Sequence, residues 1–139
     1  MTAGRHQARE AALQILYFWE VGKADPAQAV GAYFREHQPE ASESLREFAS
    51  ALVHGTIANL DTIDGLIEQH SSNWRLTRLA AIDRLILRLA TWELQHQPDV
   101  PAPVIVDEAL ELARTFSTDD SVKFVNGVLD AIRRSLGRA

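Results

Sequence analysis

Apolar residues recur every three or four positions through nearly the whole chain, as they do on one face of an amphipathic helix. The clearest run predicts one long helix with apolar positions at Leu45, Phe48, Ala49, Leu52, Val53, Thr56, Ile57, Leu60, Ile63, Leu66 and Ile67. An earlier helix is predicted to end near Gly22, because glycine suits a helix C-terminus. The apolar stripe of that earlier helix contains Ala8, Ala12, Ile15, Leu16 and Trp19. Strand-like alternation is missing from the pattern, which therefore favours an all-α fold.

Local signals divide the helical pattern. Asp25 followed by Pro26 is typical of an N-cap and a first helical position, and it predicts a short helix through Phe34. The three prolines within residues 97–103 predict a rigid, non-helical connector. Another break is predicted near residues 71–77. The strongly apolar helix between these two breaks is predicted to be the most buried element, on Leu79, Ile82, Leu85, Ile86, Leu89 and Trp92.

Two more helices follow, the first on Ile105 to Phe116 and the second on Val122 to Leu136. Residues 117–121 form the predicted loop between them, in which Asp119, Asp120 or Ser121 would cap the last helix. The prediction is a single all-α domain over residues 1–139, with about six to seven helices in two packed sub-bundles at about 1–70 and 75–139.

Composition narrows the class of protein. The 139 residues are 46% hydrophobic and 24% charged, which is typical of one globular domain. The chain has no cysteine, no early apolar run typical of a signal peptide and no uncharged stretch long enough for a membrane span. These features predict a soluble, cytoplasmic protein. The net charge of -5 requires any nucleic-acid binding to come from a local patch.

Motifs for catalysis are missing from the sequence. The seven glycines form no phosphate-binding loop, and the five histidines never stand four residues apart beside a glutamate. The acidic pairs Asp107-Glu108 and Asp119-Asp120 are more typical of caps and solvated helix faces than of acid/base catalysis. We therefore expect no enzymatic activity, no metal site and no cofactor.

The segment 123–130, which reads KFVNGVLD, is unusual for a helix because Asn126 and Gly127 are poor helix formers. Close helix packing would account for Gly127. Lys123 and Asn126, at i and i+3, would share a face and carry donors suited to phosphates or base edges. Phe124 would stack on an unpaired base, although a place in the core is the commoner fate of a phenylalanine.

This segment, together with residues 8–17, 82–88 and 104–116, resembles the NusB antitermination family. The resemblance implies an all-helical fold of two sub-bundles and no catalysis. It also implies binding to the boxA element of ribosomal RNA leader transcripts, jointly with the ribosomal protein NusE and within the transcription elongation complex. The RNA-binding residues would be Arg5, Arg9, Lys123, Phe124 and Asn126.

The N-terminal arm departs from the Arg-rich arm of the family, since it offers Arg5, His6 and Arg9 before Glu10. We therefore expect modest RNA binding by the protein alone. The basic end of the last helix would add to the RNA surface if the chain ends lie close together, through Arg133, Arg134 and Arg138.

The resemblance implies that Tyr17, Asp83 and Asp120 contact NusE. The alternatives from the residues alone are a half-buried core tyrosine, a surface ion pair of Asp83 with Arg84 or Arg88, and a helix cap at Asp120. Exposed apolar helix faces would serve a homodimer equally well. Two other functions stay open: the RNA-binding domain of a ribosomal RNA cytosine methyltransferase, and a helical scaffold without RNA.

Overall fold

The computed structural model describes residues 2–71 and 79–139, and within these ranges the chain forms seven α-helices and no strand. This confirms the all-α prediction. The helices are α1 (Thr2–Gly22), α2 (Pro26–His37), α3 (Glu43–Ala58), α4 (Leu60–His70), α5 (Ala81–His96), α6 (Ala102–Phe116) and α7 (Asp119–Ser135). They divide into two compact units, Met1–Ala58 and Asn59–Ala139.

In the first unit, α1 packs on α3 and α2, and small alanines on the apolar stripe of α1 allow close helix contact. The Asp25 carboxylate accepts from the Gln28 backbone N–H, which confirms the predicted N-cap. Helix α1 ends at Gly22 as predicted, but the following residue, Lys23, adopts the left-handed conformation with φ 55°. The positive φ therefore falls on Lys23 and not on Gly22, although glycine adopts this conformation more easily.

The predicted long helix over residues 45–67 is wrong, because the chain breaks at Asn59 between α3 and α4. The apolar period runs through both helices, so periodicity alone could not reveal the break. Helix α4 packs on α5 and α7, and the Arg88 guanidinium of α5 donates to both carboxylate oxygens of Asp64 of α4 at 2.8 and 2.9 Å. The division consequently falls at Ala58–Asn59 and not near residues 71–77, of which 72–77 lie outside the described residues.

Helix α5 packs on α4, α6 and α7 within the second unit. Among the described helices it carries the largest set of buried residues, as predicted, and this set includes the charged side chains of Asp83 and Glu93. The proline-rich connector is shorter than predicted, because Pro101 is the N-cap of α6 and Pro103 lies in its first turn. The first turn of a helix tolerates proline, since its backbone N–H groups have no acceptor within the helix.

The N-cap of α7 is Thr118, whose hydroxyl accepts from the Ser121 backbone N–H at 3.1 Å. The predicted caps were therefore wrong: Asp119, Asp120 and Ser121 all lie inside the first turn. Several neighbouring residues have side chains suited to capping, and the sequence did not show which of them lies at the N-cap position just before the helix. The loop before α7 consists of Ser117 and Thr118.

Candidate nucleic-acid interface

Two predicted RNA-binding arginines lie one helical turn apart near the start of α1, and both guanidinium groups approach Phe48 of α3. The Cζ atoms of Arg5 and Arg9 lie 4.7 and 5.5 Å from the centroid of the Phe48 ring, within range of a cation–π interaction. Arg5 is exposed, whereas Arg9 is 4% exposed. Of the two, Arg5 is therefore the one that offers its charge directly to a ligand.

The first half of α7 carries the other three predicted RNA-binding residues. Lys123 and Asn126 are both exposed, so the expected donor pair at i and i+3 lies on the protein surface. Phe124 is partly exposed, so its exposure does not decide between stacking on a base and a place in the core. Gly127 is also exposed, and a Cβ built at this position would meet nothing within 4 Å. Close helix packing therefore does not account for Gly127, and that explanation was wrong.

The C-terminal half of α7 is basic, but its charges contact acceptors within the protein. Arg133 and Arg134 donate to the two carboxylate oxygens of Asp130 at 2.6 and 2.5 Å. The hydrogen bond from Arg133, together with the nearby charge of Arg134, holds the pKa of the Asp130 carboxyl below its ordinary value. Exposed ion pairs of this kind contribute little stability.

Arg138 extends this pattern beyond the end of α7. Its guanidinium donates to the carbonyl oxygens of Leu94 and Val100, both at 2.5 Å, while its own carbonyl accepts from Arg133 at 3.0 Å. Arg138 thus joins the chain end to the end of α5 and to the connector that follows α5. These contacts do not favour a direct role for Arg138 in binding RNA.

Tyr17, predicted to contact a protein partner, is 41% exposed near the end of α1. Phe18 and Val21 beside it are also exposed, and together the three side chains form what we call the α1 patch. The rings of Phe18 and His37 stack with their centroids 6.5 Å apart. An exposure of 41% fits a partner contact and also the alternative of a half-buried tyrosine, so the exposure does not decide between them.

Asp83 differs from the surface acid that the resemblance implied. It is 8% exposed, and its carboxylate accepts from the hydroxyls of Ser117 and Ser121, each at 2.7 Å. The alternative ion pair is not formed either: Arg84 donates to the Leu79 carbonyl, and Arg88 pairs with Asp64. Asp83 therefore joins α5 to both sides of the α7 N-cap.

Asp120 is exposed in the first turn of α7, one residue from Ser121. It lies inside the helix, so the alternative of a plain cap was wrong. Of the two acids predicted to contact a partner, Asp120 is accessible at the surface. Asp83 is buried and instead holds the start of α7 through Ser117 and Ser121.

Sequence reasoning missed three aromatic or apolar side chains at these surfaces. The apolar period predicts Phe48 on the core-facing stripe of its helix, and an apolar position gives no signal that two guanidinium groups approach the ring. Phe18 and Val21 could have been found, because neither belongs to the apolar stripe of α1 that faces the core.

Other kinds of site find no support in residues 2–71 and 79–139. No cluster of three or more histidine, aspartate or glutamate side chains within these ranges is arranged to hold a metal ion. None of the helices described there is long and apolar enough to cross a membrane.

Comparison with known proteins identifies the class. A model of the NusB family matches residues 6–134. The transcription antitermination protein NusB of Solibacter usitatus is 46% identical over 134 residues, which is 96% of this chain and 91% of that protein. The protein of the same name from Sorangium cellulosum is 45% identical, over 96% of this chain and 94% of its own.

Solved structures agree with these relatives. T. maritima NusB superposes with a TM-score of 0.85 at 36% identity, over 94% of this chain and 90% of that chain. The NusB fold is also found in a complex of the antitermination factors NusB and NusE with double-stranded RNA. The matched chain of that complex has a TM-score of 0.88 at 27% identity, with 97% of this chain and 99% of that chain covered.

This chain belongs to the NusB family. It is a transcription antitermination factor and not an enzyme, and the methyltransferase-domain and scaffold alternatives are not favoured.

Proposed function

We propose that this protein acts in the cytoplasm, where it binds the boxA element of ribosomal RNA leader transcripts jointly with a NusE-type ribosomal protein. Within the transcription elongation complex, this assembly would support processive transcription of ribosomal RNA operons. The observation that carries the proposal is the exposure of Lys123 and Asn126 on one face of α7. The solved complex of a related NusB with NusE and RNA supports the same choice of partners.

The exposed side chains on α7 fit the two parts of RNA recognition. Lys123 supplies a charge for phosphates, which positions the strand without reading its sequence. Asn126 carries both a donor and an acceptor that match a base edge, and the exposed part of Phe124 suits stacking on an unpaired base. Because the whole chain carries a net charge of -5, the free protein should bind modestly, and a basic partner should increase its affinity.

A fluorescence-anisotropy titration tests the proposal with three RNAs: a single-stranded boxA-like sequence, its scramble, and a duplex of the boxA-like sequence. The duplex is included because the related complex contains double-stranded RNA. We expect the boxA-like single strand to bind best, and to bind more tightly once the NusE-type protein is added. Equal affinity for the boxA-like strand and its scramble, with and without the partner, would contradict the proposed function.

The α1 patch in the first unit and Asp120 in the second unit are each proposed to contact the partner. Tyrosine and phenylalanine side chains suit a buried anchor in an interface, whereas an exposed acid attracts a basic ribosomal protein. Tyr17→Ala should therefore mainly raise the dissociation rate, and Asp120→Lys should slow association in a salt-dependent way. Surface plasmon resonance with the NusE-type protein measures both rates.

Homodimer formation through the α1 patch is the competing use of the same surface. Sedimentation velocity of the free protein and of the Tyr17→Ala variant decides between the two. A concentration-dependent dimer that the variant abolishes, together with unchanged binding of the NusE-type protein by that variant, would assign the patch to self-association.

A further inference from the structure

The first unit contains a cleft of about 660 Å³ between the start of α1 and the first turns of α3. Its lining consists of Gly4, Arg5, Ser42, Ser44, Leu45, Glu47 and Phe48. This volume lies within the range of about 300–1,000 Å³ that is usual for small-molecule sites. The lining combines an aromatic ring, a guanidinium group, hydroxyls and one carboxylate, a mixture that suits a ligand with a flat ring and polar edges.

The position of Arg5 in the cleft is set by Phe48. With its Cζ atom 4.7 Å from the ring centroid, the guanidinium lies against an aromatic surface that restricts its motion, while Arg5 as a whole stays exposed. A planar cation held in this way can stack on a further ring at a reduced entropic cost. Arg9 places a second guanidinium 5.5 Å from the centroid of the same ring.

The polar lining favours a base over an isolated phosphate. Glu47 would repel a phosphate inside the cleft, but its carboxylate can accept from an exocyclic amino group of cytosine, adenine or guanine. The Ser42 hydroxyl is held in place because it accepts from the Leu45 backbone N–H at 3.1 Å. Its own hydrogen remains available for an acceptor on the ligand.

We propose that this cleft binds one unpaired nucleotide of the RNA, with its base stacked on the Arg5–Phe48 pair and an amino group of the base directed to Glu47. The proposal rests on the proposed function, and it adds a base-binding position in the first unit to the residues of α7. It predicts that the base at one RNA position is read by α3, which composition and periodicity gave no reason to expect.

The test begins with photocrosslinking of the whole chain to boxA-like RNA that carries a single 6-thioguanosine, which keeps an exocyclic amino group, moved one position at a time. Mass spectrometry then locates the crosslinked residue. We expect one position to crosslink to the peptide that contains Phe48, and other positions to crosslink to the peptide that contains Phe124.

Variants of the stacked pair test the geometry. Phe48→Leu keeps an apolar side chain but removes the ring that holds the Arg5 guanidinium for stacking, and should weaken binding several-fold. Phe48→Trp should retain affinity. Arg5→Lys keeps the charge but loses the planar group, and should weaken binding several-fold, whereas the matched change Arg134→Lys should leave affinity unchanged. Circular dichroism melting confirms that each variant is folded.

Glu47→Gln tests the amino-group contact, with Glu43→Gln as a control on a neighbouring acid that does not line the cleft. The wild type should favour an amino-bearing base over uracil at the crosslinked position, and Glu47→Gln should reduce that preference while Glu43→Gln keeps it.

The outcomes separate the two proposals. If the wild type binds boxA-like RNA specifically, but folded Phe48→Leu and Arg5→Lys variants bind as tightly and every crosslink lies on α7, the cleft proposal is overturned and the proposed function stands. A wild type that binds no RNA overturns both. Occupation of the cleft by the NusE-type protein, with no RNA crosslink at Phe48, would also overturn the cleft proposal.

Discussion

The two halves of α7 use their charged side chains in different ways. In the first half, Asp120 and Lys123 are exposed, and the backbone that carries them is held by the Thr118 cap and by the hydrogen bonds that Ser117 and Ser121 donate to Asp83. These hydrogen bonds hold the start of α7, while the side chains of Asp120 and Lys123 stay accessible to a ligand.

In the second half, the charges bond to one another and to backbone carbonyls. Arg133 and Arg134 share Asp130, and Arg138 donates to the carbonyls of Leu94 and Val100. A run of arginines in the sequence is therefore not by itself evidence of a nucleic-acid surface, because such charges can bond within the protein. The contacts of each arginine decide whether its charge binds a ligand or stabilises the fold.

The largest expected effect belongs to Asp83, because it accepts two hydrogen bonds while almost fully buried. Asp83→Ala should lower the free energy of unfolding by about 3 kcal/mol, since a hydrogen bond to a charged group contributes about 1.5–3 kcal/mol. Urea denaturation measures this value. The control Asp120→Ala removes an exposed acid from the same region and should change stability by about 0.5 kcal/mol or less. Similar losses in the two variants would show that Asp83 does not hold the start of α7.

A smaller loss is expected at the other end of the helix. Arg138→Ala removes two hydrogen bonds from a partly buried guanidinium and should cost about 2 kcal/mol. Arg134→Ala, which removes an exposed ion pair, should cost much less. Thermal unfolding of both variants is the measurement. Equal melting temperatures would mean that Arg138 contributes no more than an ordinary surface arginine.

Gly127 allows stability to be separated from function. Gly127→Ala should raise the free energy of unfolding by about 0.5–1 kcal/mol, because alanine favours a helix and its Cβ meets nothing within 4 Å. The same methyl group should weaken RNA binding, since it projects from the exposed surface one turn from Lys123. Gly65→Ala on α4 is the matched control, being equally exposed and unobstructed. It should raise stability and leave RNA affinity unchanged; equal affinities in both variants would place the RNA elsewhere.

The smallest expected effect is on the stability of the protein at acidic pH. Because the pKa of Asp130 is lowered in the folded state, its ion pairs stabilise the protein above the pKa of the unfolded chain. That contribution is lost as the pH falls through the lower, folded-state pKa. Thermal unfolding from pH 7 to pH 2 should therefore show a shallower acid decline for Asp130→Asn than for the wild type. Parallel declines would indicate that these ion pairs add nothing.

The sequence predicted the helical class and most helix positions, because the apolar period and Asp25-Pro26 are local signals. It did not predict the break at Asn59, where the apolar pattern continues without interruption. The sequence also did not predict which residue is the N-cap of α7, because several adjacent residues have side chains that can cap a helix equally well. Such choices depend on tertiary packing, as the pairing of Arg88 with Asp64 illustrates.

For the candidate site, the spacing of three residues correctly predicted that Lys123 and Asn126 share one face of a helix, and in the structure both are exposed. The burial of Asp83 could not be predicted, because it depends on hydroxyls that lie 34 and 38 residues further along the chain. The approach of Arg5 and Arg9 to Phe48 likewise joins α1 to α3, and no local pattern reports such a contact.

Under the proposed function, the first half of α7 binds RNA and its C-terminal arginines do not. The most direct measurement is the affinity for boxA-like RNA of Lys123→Ala and Arg134→Ala, each of which removes one exposed positive charge from α7. We expect Lys123→Ala to weaken binding and to reduce the salt slope by about one, as the loss of one phosphate contact does. Arg134→Ala should match the wild type in both affinity and slope. A loss in Arg134→Ala that equals or exceeds the loss in Lys123→Ala would contradict the account.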